Sequence, residues 1–438
     1  MSTSSIPVES PKSKAWVVSV GMGYGHQRAA YNIAHLAPDG IPLNANDYEN
    51  IPKHDRKIWE RSRGLYEFMS NASHIPLIGG ILFSLLERIT KIFDFYPKRN
   101  LSESNFGLRY LESLIHKGWG NHLIEKIGQN PLPLVTTFFA SAHMADYFNY
   151  KEKIFCVVTD TDIARTWVSS DPLSSHVTYF APTIEAERRL QSYGVPLEKI
   201  ILTGFPLPKS NIGTESFEIA KNDLAKRIIN LDPTGIYRKQ FAPLIETYLG
   251  KLPEQSGRPL TLMFSLGGAA AQRDLAINVI KSLSKKIKAG EIRLILAVGI
   301  KKEVHDVITW ELKLHGLNSL IGTNVHILEA PDIWHYFDVF NQALRDSDIL
   351  WTKPSELSFY AGLGIPIIIA PAIGSQEDFN REWLLRMGAG INQKNPMFAD
   401  EWLNDLVQDG ILADVAMHGF IEIEKKGTFN IEREICKK

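Results

Sequence analysis

VVSVGMGYGHQRAA, residues 17–30, runs from a short apolar stretch into three alternating glycines and a histidine. An apolar run, a glycine turn and a segment bearing alanines read as strand, turn and helix. Glycine lets backbone N–H groups approach a ligand, and a helix N-terminus favours an anion. A dinucleotide fingerprint needs glycine at the first, third and sixth positions of such a turn. Gly21 and Gly23 meet that need, but His26 takes the sixth place. Asp47, at the end of the next strand-like segment, stands where a ribose carboxylate would be expected. A nicotinamide-dependent oxidoreductase is therefore one open reading, with His26 against it. Close packing alone explains Gly21, but not three glycines and an imidazole together. Beside a helix N-terminus an imidazole is kept neutral and can act as a base or a hydrogen-bond partner.

The alternation continues outward from this turn. IPLNAND (41–47), LPLVTTF (132–138), KIFCVVTD (153–160), VTYFAP (177–182) and KIILTGFP (199–206) read as strands. A long helical region is expected from about Asp55 to Lys117. A second series follows: PLTLMFSLGG (259–268), RLILAVGI (293–300), NVHILEA (324–330), DILWT (348–352) and IPIIIAP (365–371), with helices between. Apolar strands separated by helices imply parallel sheets covered on both faces. The fold class is α/β, with two Rossmann-like, doubly wound domains facing across a cleft and ligands at the carboxyl ends of the strands. The expected division is a tail over 1–13, an N-terminal domain over 14–210 and a charged helical insertion or linker over 211–257. A C-terminal domain over 258–395 and a helical region over 396–438 that packs back toward the first domain complete it.

Composition narrows the function. The 438 residues carry a formal net charge of -1, without the basic excess of a dedicated nucleic-acid binder. Cys156 and Cys436 lie far apart and form neither a metal-ligand spacing nor a disulfide framework, which suits a reducing compartment. The start, MSTSSIPVESPKSK, lacks the apolar core of a secretory signal. No stretch reaches the roughly 18 uninterrupted apolar residues of a transmembrane helix. A cytoplasmic location is expected.

Several stretches together resemble one family. GMGYGHQRAA, CVVTDTDIARTWVSSD (156–171), APTIEAERRLQSYGVPLEKIILTGFPL (181–207), FSLGGAAAQ (264–272) and SDILWTKPSELSFYAGLGIPIIIAPAIGSQEDFNREWLLRMGAG (347–390) occur in that order. They resemble the GT-B glycosyltransferases, in the branch of monogalactosyldiacylglycerol synthase, the diacylglycerol glucosyltransferases and the lipid II-forming N-acetylglucosaminyltransferase. The resemblance implies transfer of a hexose from a UDP-sugar to a lipid or other hydrophobic acceptor, with inversion, no divalent metal and no cofactor. It implies that His26 and Asp160 handle the acceptor proton, beside an acceptor-side loop of Gly21, Gly23, Gly25 and Trp167. Gly267, Gly268, Lys353, Ser355 and Glu356 would hold the nucleotide diphosphate and ribose. Gln376, Glu377 and Asn380 would hold the sugar.

The match has departures. The family places a ribose-binding Glu seven residues before the Pro of its Gly-Leu-Pro; here Pro366 leads back to Phe359, and Glu356 is the nearby carboxylate. The histidine between Val-Thr-Asp and Trp is missing, with Arg165 nearby. A GT-B protein without transferase activity, a nucleotide-sugar epimerase or a binding module, is therefore a second reading. Asp160-Thr161-Asp162 also has the form of an Asp-x-Asp metal motif, which belongs to a different glycosyltransferase fold. Residues 75–95, IPLIGGILFSLLERITKIFDF, have helical apolar spacing with charges between. Two readings stay open for them: a helix packed on its own core, or peripheral contact with the inner face of a membrane. Trp334, Tyr336 and Trp351 read as core and rim.

Overall fold

The computed structural model describes residues 14–72, 92–266, 272–372 and 374–437. The 75–95 stretch falls largely outside these residues, and Gly267 and Gly268 fall wholly outside them. No helix among the described residues is long and apolar enough to cross a membrane.

Twelve strands form two six-stranded sheets. The first holds β1 (Trp16–Ser19), β2 (Leu43–Asn44), β3 (Leu134–Thr136), β4 (Ile154–Val157), β5 (Val177–Ala181) and β6 (Ile200–Leu202). Its order is β2-β1-β3-β4-β5-β6. The second holds β7 (Leu260–Ser265), β8 (Ile292–Ala297), β9 (Val325–Ile327), β10 (Ile349–Thr352), β11 (Ile367–Ile369) and β12 (Gly390–Asn392). Its order is β12-β11-β10-β7-β8-β9. Every strand pairing is parallel. In the first sheet the order reverses at β1, between β2 and β3; in the second it reverses at β7, between β8 and β10. Crevices open at such switch points, at the carboxyl ends of the strands.

The apolar runs are explained by burial on both faces. Side chains alternate along a strand. Val17, Val135, Phe155, Val157 and Phe180 enter one core layer, while Val18, Leu134, Ile154, Cys156 and Tyr179 enter the opposite one. The architecture is GT-B: two Rossmann-like domains with a cleft between them.

Three stretches differ from expectation. The helix over 55–117 is not continuous. Lys53–Ala72 and Phe106–His116 are helical, and 92–105 are irregular. Pro97 lacks the donor a helix interior needs, and Asn105 opens the later helix by accepting from Leu108 N. The second strand shrinks to Leu43–Asn44, because Asn44 and Asn46 turn their side-chain oxygens onto Gly21 N at 3.2 and 2.7 Å. The 211–257 stretch is integral to the second domain. Within the helix Glu218–Leu231, Ala220, Leu224, Ile228 and Leu231 recur at helical spacing and are buried in the second core.

Among the described residues the chain crosses between domains after β6 and again before the helix Gly427–Ile435. The crossings touch directly: a Cβ on Gly427 would lie 2.0 Å from the Phe205 carbonyl oxygen. Beyond the second crossing, Ile431 and Ile435 are buried with Ala15, Val17, Ala30 and Ile33 in the first domain.

Candidate functional site

The glycine turn leaves β1 at the switch point of the first sheet. Gly23 has φ 94° and ψ 161°, a conformation open almost only to glycine. It aims the chain into the helix Tyr24–Asn32. Gly25 sits beneath the second domain, where a Cβ would lie 3.2 Å from Glu356 Oε2.

His26 is fixed from two strand ends. Its Nδ1 lies 2.7 Å from the Thr137 carbonyl after β3, and Thr137 Oγ1 donates back to the His26 carbonyl at 2.9 Å. A carbonyl accepts only, so Nδ1 carries the proton and Nε2 is the ring's acceptor. Thr159 Oγ1, after β4, lies 3.2 Å from Nδ1 and donates to Asp160 Oδ2 at 3.3 Å. The result is a chain of polar groups, His26–Thr159–Asp160. Phe138 presents its edge to the imidazole at 4.9 Å, and the buried Trp167 lies 6.1 Å away. Burial pushes the His26 pKa down to about 4 and that of Asp160 up to about 6. The imidazole is neutral at ordinary pH, while the Asp160 carboxyl titrates near it.

Asp162, two residues on, has a different environment. Arg189 Nε and Nη2 each donate to it at 2.8 Å, both groups being buried. With both Asp162 oxygens held by a guanidinium, Asp-Thr-Asp does not form a two-carboxylate cage. Among the described residues no cluster of three His, Cys, Asp or Glu side chains is placed to hold a metal.

The second domain faces this site with the ends of β10 and β11. Lys353 pairs with Glu377 at 2.5 Å, and Ser355 precedes the buried 3-10 helix Glu356–Leu363. Glu356 reaches to the first domain. It accepts from Arg28 Nε of the first domain at 3.2 Å, with both side chains buried. The Arg28 guanidinium also lies over the Phe340 ring at 4.2 Å and the Phe337 ring at 4.5 Å. Phe359, standing where the resemblance implies a ribose carboxylate, is buried and stacked on Phe205 at 4.7 Å.

Asn380, expected at the sugar, is wholly buried and bonded across the cleft. Its Oδ1 accepts from Thr161 N at 2.9 Å and Thr161 Oγ1 at 2.8 Å. Its Nδ2 donates to Asp160 Oδ1 at 3.0 Å, with the Pro354 carbonyl at 3.4 Å. These contacts use all four of its hydrogen-bonding positions. Gln376 also bonds the Asp160 carboxylate. Where Gly267 and Gly268 would meet a ligand lies outside the described residues. The next described residue, Gln272, is buried, and neither end of its amide has a partner among the described residues. Tyr336 and Trp351 are core residues, and Trp334 stacks on Tyr31 at the domain boundary. Asp47 is largely exposed beside Arg56.

The structure links His26 and Asp160 through Thr159, and neither Thr159 nor Arg28 was singled out from the sequence. Thr159 sits inside the Val-Thr-Asp stretch and carries its own signal, a hydroxyl at a strand's carboxyl end. Arg28 has none, because its partner is 328 residues away.

No family model matches the chain. A processive diacylglycerol beta-glucosyltransferase of Bacillus cytotoxicus is 22% identical over 306 residues, covering 69% of this chain. The match spans 63% of that relative's length. Among solved structures, MurG of Acinetobacter baumannii superposes with a TM-score of 0.47 at 11% identity, over 97% of this chain and 100% of that one. The UDP-GlcNAc 2-epimerase of Neisseria meningitidis, bound to UDP-GlcNAc, gives 0.46 at 12% identity, over 96% and 98%. In sequence the chain is similar to a glycosyltransferase, the relative from Bacillus cytotoxicus.

Proposed function

We propose that the protein transfers a hexose from a nucleotide-sugar, a UDP-sugar in the first instance, to a lipid or other hydrophobic acceptor, with inversion and without a metal. The observation that carries this reading is the His26–Thr159–Asp160 chain at the switch point of the first sheet, facing the helix Ser375–Arg386 of the second domain. His26 Nε2 takes the acceptor hydroxyl proton as the acceptor oxygen bonds to the anomeric carbon. The bond from that carbon to the diphosphate breaks, and its electron pair leaves with the nucleoside diphosphate. Thr137 and Thr159 hold the Nδ1 proton, and the Asp160 carboxylate steadies the imidazolium through Thr159. Gly267, Gly268, Lys353 and Ser355 are the proposed diphosphate and ribose contacts, with Gln376 and Glu377 at the sugar. Glu356 joins them only when its pairing with Arg28 opens. The relative from Bacillus cytotoxicus, named for diacylglycerol, supports a lipid acceptor. Peripheral contact through residues 75–95 at the inner face of a membrane belongs to the same proposal.

A second reading, a GT-B protein that isomerises or only binds a nucleotide-sugar, is favoured by the buried Phe359 and the Arg28–Glu356 pair. Calorimetric titration with UDP, UDP-glucose, UDP-galactose, UDP-N-acetylglucosamine and NAD, with and without EDTA, separates the cases. EDTA-insensitive binding of a UDP-sugar, followed by transfer to diacylglycerol vesicles, is the expected result. Binding with epimerisation and no transfer selects the second reading. Binding of NAD alone overturns both.

A further inference from the structure

Gln376 and Asn380 are one turn apart on the helix Ser375–Arg386 and share a face. That face meets Asp160, which belongs to the other domain. The orientation of the Asn380 amide is fixed without ambiguity. Thr161 N can only donate, so the group 2.9 Å from it is the amide oxygen. The NH2 end is thereby forced toward Asp160 Oδ1 at 3.0 Å. Asn380 is fully buried, and its bonds to Asp160 and Thr161 both cross the domain boundary.

We propose that Asn380 is a positioning residue for Asp160, carried by the opposite domain, so that the acceptor-side carboxylate reaches its working geometry only when the two domains are closed. The proposal rests on the transferase reading for its role in catalysis, and on the structure alone for the coupling. In the open state Asp160 keeps Thr159 and loses both amides. The site is then completed by the same movement that brings donor and acceptor together, which limits hydrolysis of the donor by water in the open protein.

The groups facing Asp160 set the direction of the coupling. Burial raises its pKa; the Asn380 hydrogen bond lowers it, the Glu356 carboxylate raises it, and Gln376 and Thr159 lower it. Arg28 is paired to that Glu356, and His26 reaches Asp160 only through Thr159. Taking away the Asn380 donor therefore moves the carboxyl upward.

The test follows carboxyl-13C aspartate resonances through a pH titration in the full chain, with Asp160→Asn identifying the Asp160 signal. Asn380→Ala is expected to raise the Asp160 midpoint by about one pH unit. It moves the acidic limb of the transfer rate by the same amount and leaves UDP and UDP-sugar affinity unchanged. An unmoved midpoint, or a weakened UDP-sugar with an unmoved limb, overturns the proposal and returns Asn380 to the sugar. Should Asn380→Ala fail to fold, the isosteric Asn380→Asp keeps an oxygen for Thr161 and places a second carboxyl against Asp160. A raised midpoint for that pair supports the coupling, and an unmoved one overturns it. A wild-type protein that shows the coupling but transfers no sugar separates the two claims: the transferase reading falls and the coupling stands.

Discussion

Two of the contacts that join the domains across the cleft are built on opposite principles. Arg28 and Glu356 cancel one another's charge in a cage of aromatic rings. Asp160 meets neutral groups: two amides from the second domain and one hydroxyl from its own. A carboxylate supported only by neutral donors remains able to take up a proton. Asp162 shows the first principle again inside one domain, two residues from Asp160, where Arg189 grips it with both donors. A shared strand end thus supplies one carboxyl gripped by a guanidinium and one held by neutral donors, and burial raises the pKa of both.

The sharpest way to break this comparison is to remove one member of the charged contact. Arg28→Met leaves the Glu356 carboxylate buried and unpaired, and urea unfolding is expected to show a loss of about 3–5 kcal/mol. A loss below ~1 kcal/mol would mean the pair is wetter than its burial implies. Next in size is the contrast between the neighbouring carboxyls. Asp160→Asn should cut the transfer rate by about 100-fold or more with the melting temperature nearly kept. Asp162→Asn should instead lower stability by about 2–3 kcal/mol, with the rate per folded molecule little changed. Reversal of the two outcomes would exchange their roles.

The pH profile sharpens the same contrast. As pH falls through about 6, Asp160 takes up a proton, while His26 stays neutral until about 4. The rate should therefore be present above about 6 and fall with unit slope on the acid side of it. A limb near 4 would assign the loss to His26. The smallest effect belongs to Gly25→Ala, whose Cβ would lie 3.2 Å from Glu356 Oε2. A cost of about 1 kcal/mol in thermal unfolding is expected, because the glutamate must yield slightly.

What the sequence revealed was mostly local. Alternating apolar runs and the turn at Gly21 to Gly25 announced two sheets because strand burial and tight turns leave their mark within a few residues. His26 was legible as the imidazole that follows the glycine turn at a helix N-terminus, and Asp160 as the carboxylate ending an apolar strand. The cross-cleft partners were not. Glu356 and Asn380 resembled donor contacts, and only three-dimensional placement shows them bonded to Arg28 and Asp160. Phe359 marks the same limit: its departure from the family pattern was visible, but its stacking on Phe205 was not. The charge of residues 211–257 suggested an insertion or linker, yet apolar positions spaced along Glu218–Leu231 fill the second core.

The helix Gly427–Ile435 has a consequence for how the molecule is made. Ile431 and Ile435 fill the core that begins at Ala15, so the first domain stays incomplete until the chain has grown past residue 435. The second domain's sheet, closed by Gly390–Asn392, has all its strands earlier. During synthesis the first sheet has all its strands by Leu202, yet the core behind it stays partly unsealed until the helix Gly427–Ile435 has been made.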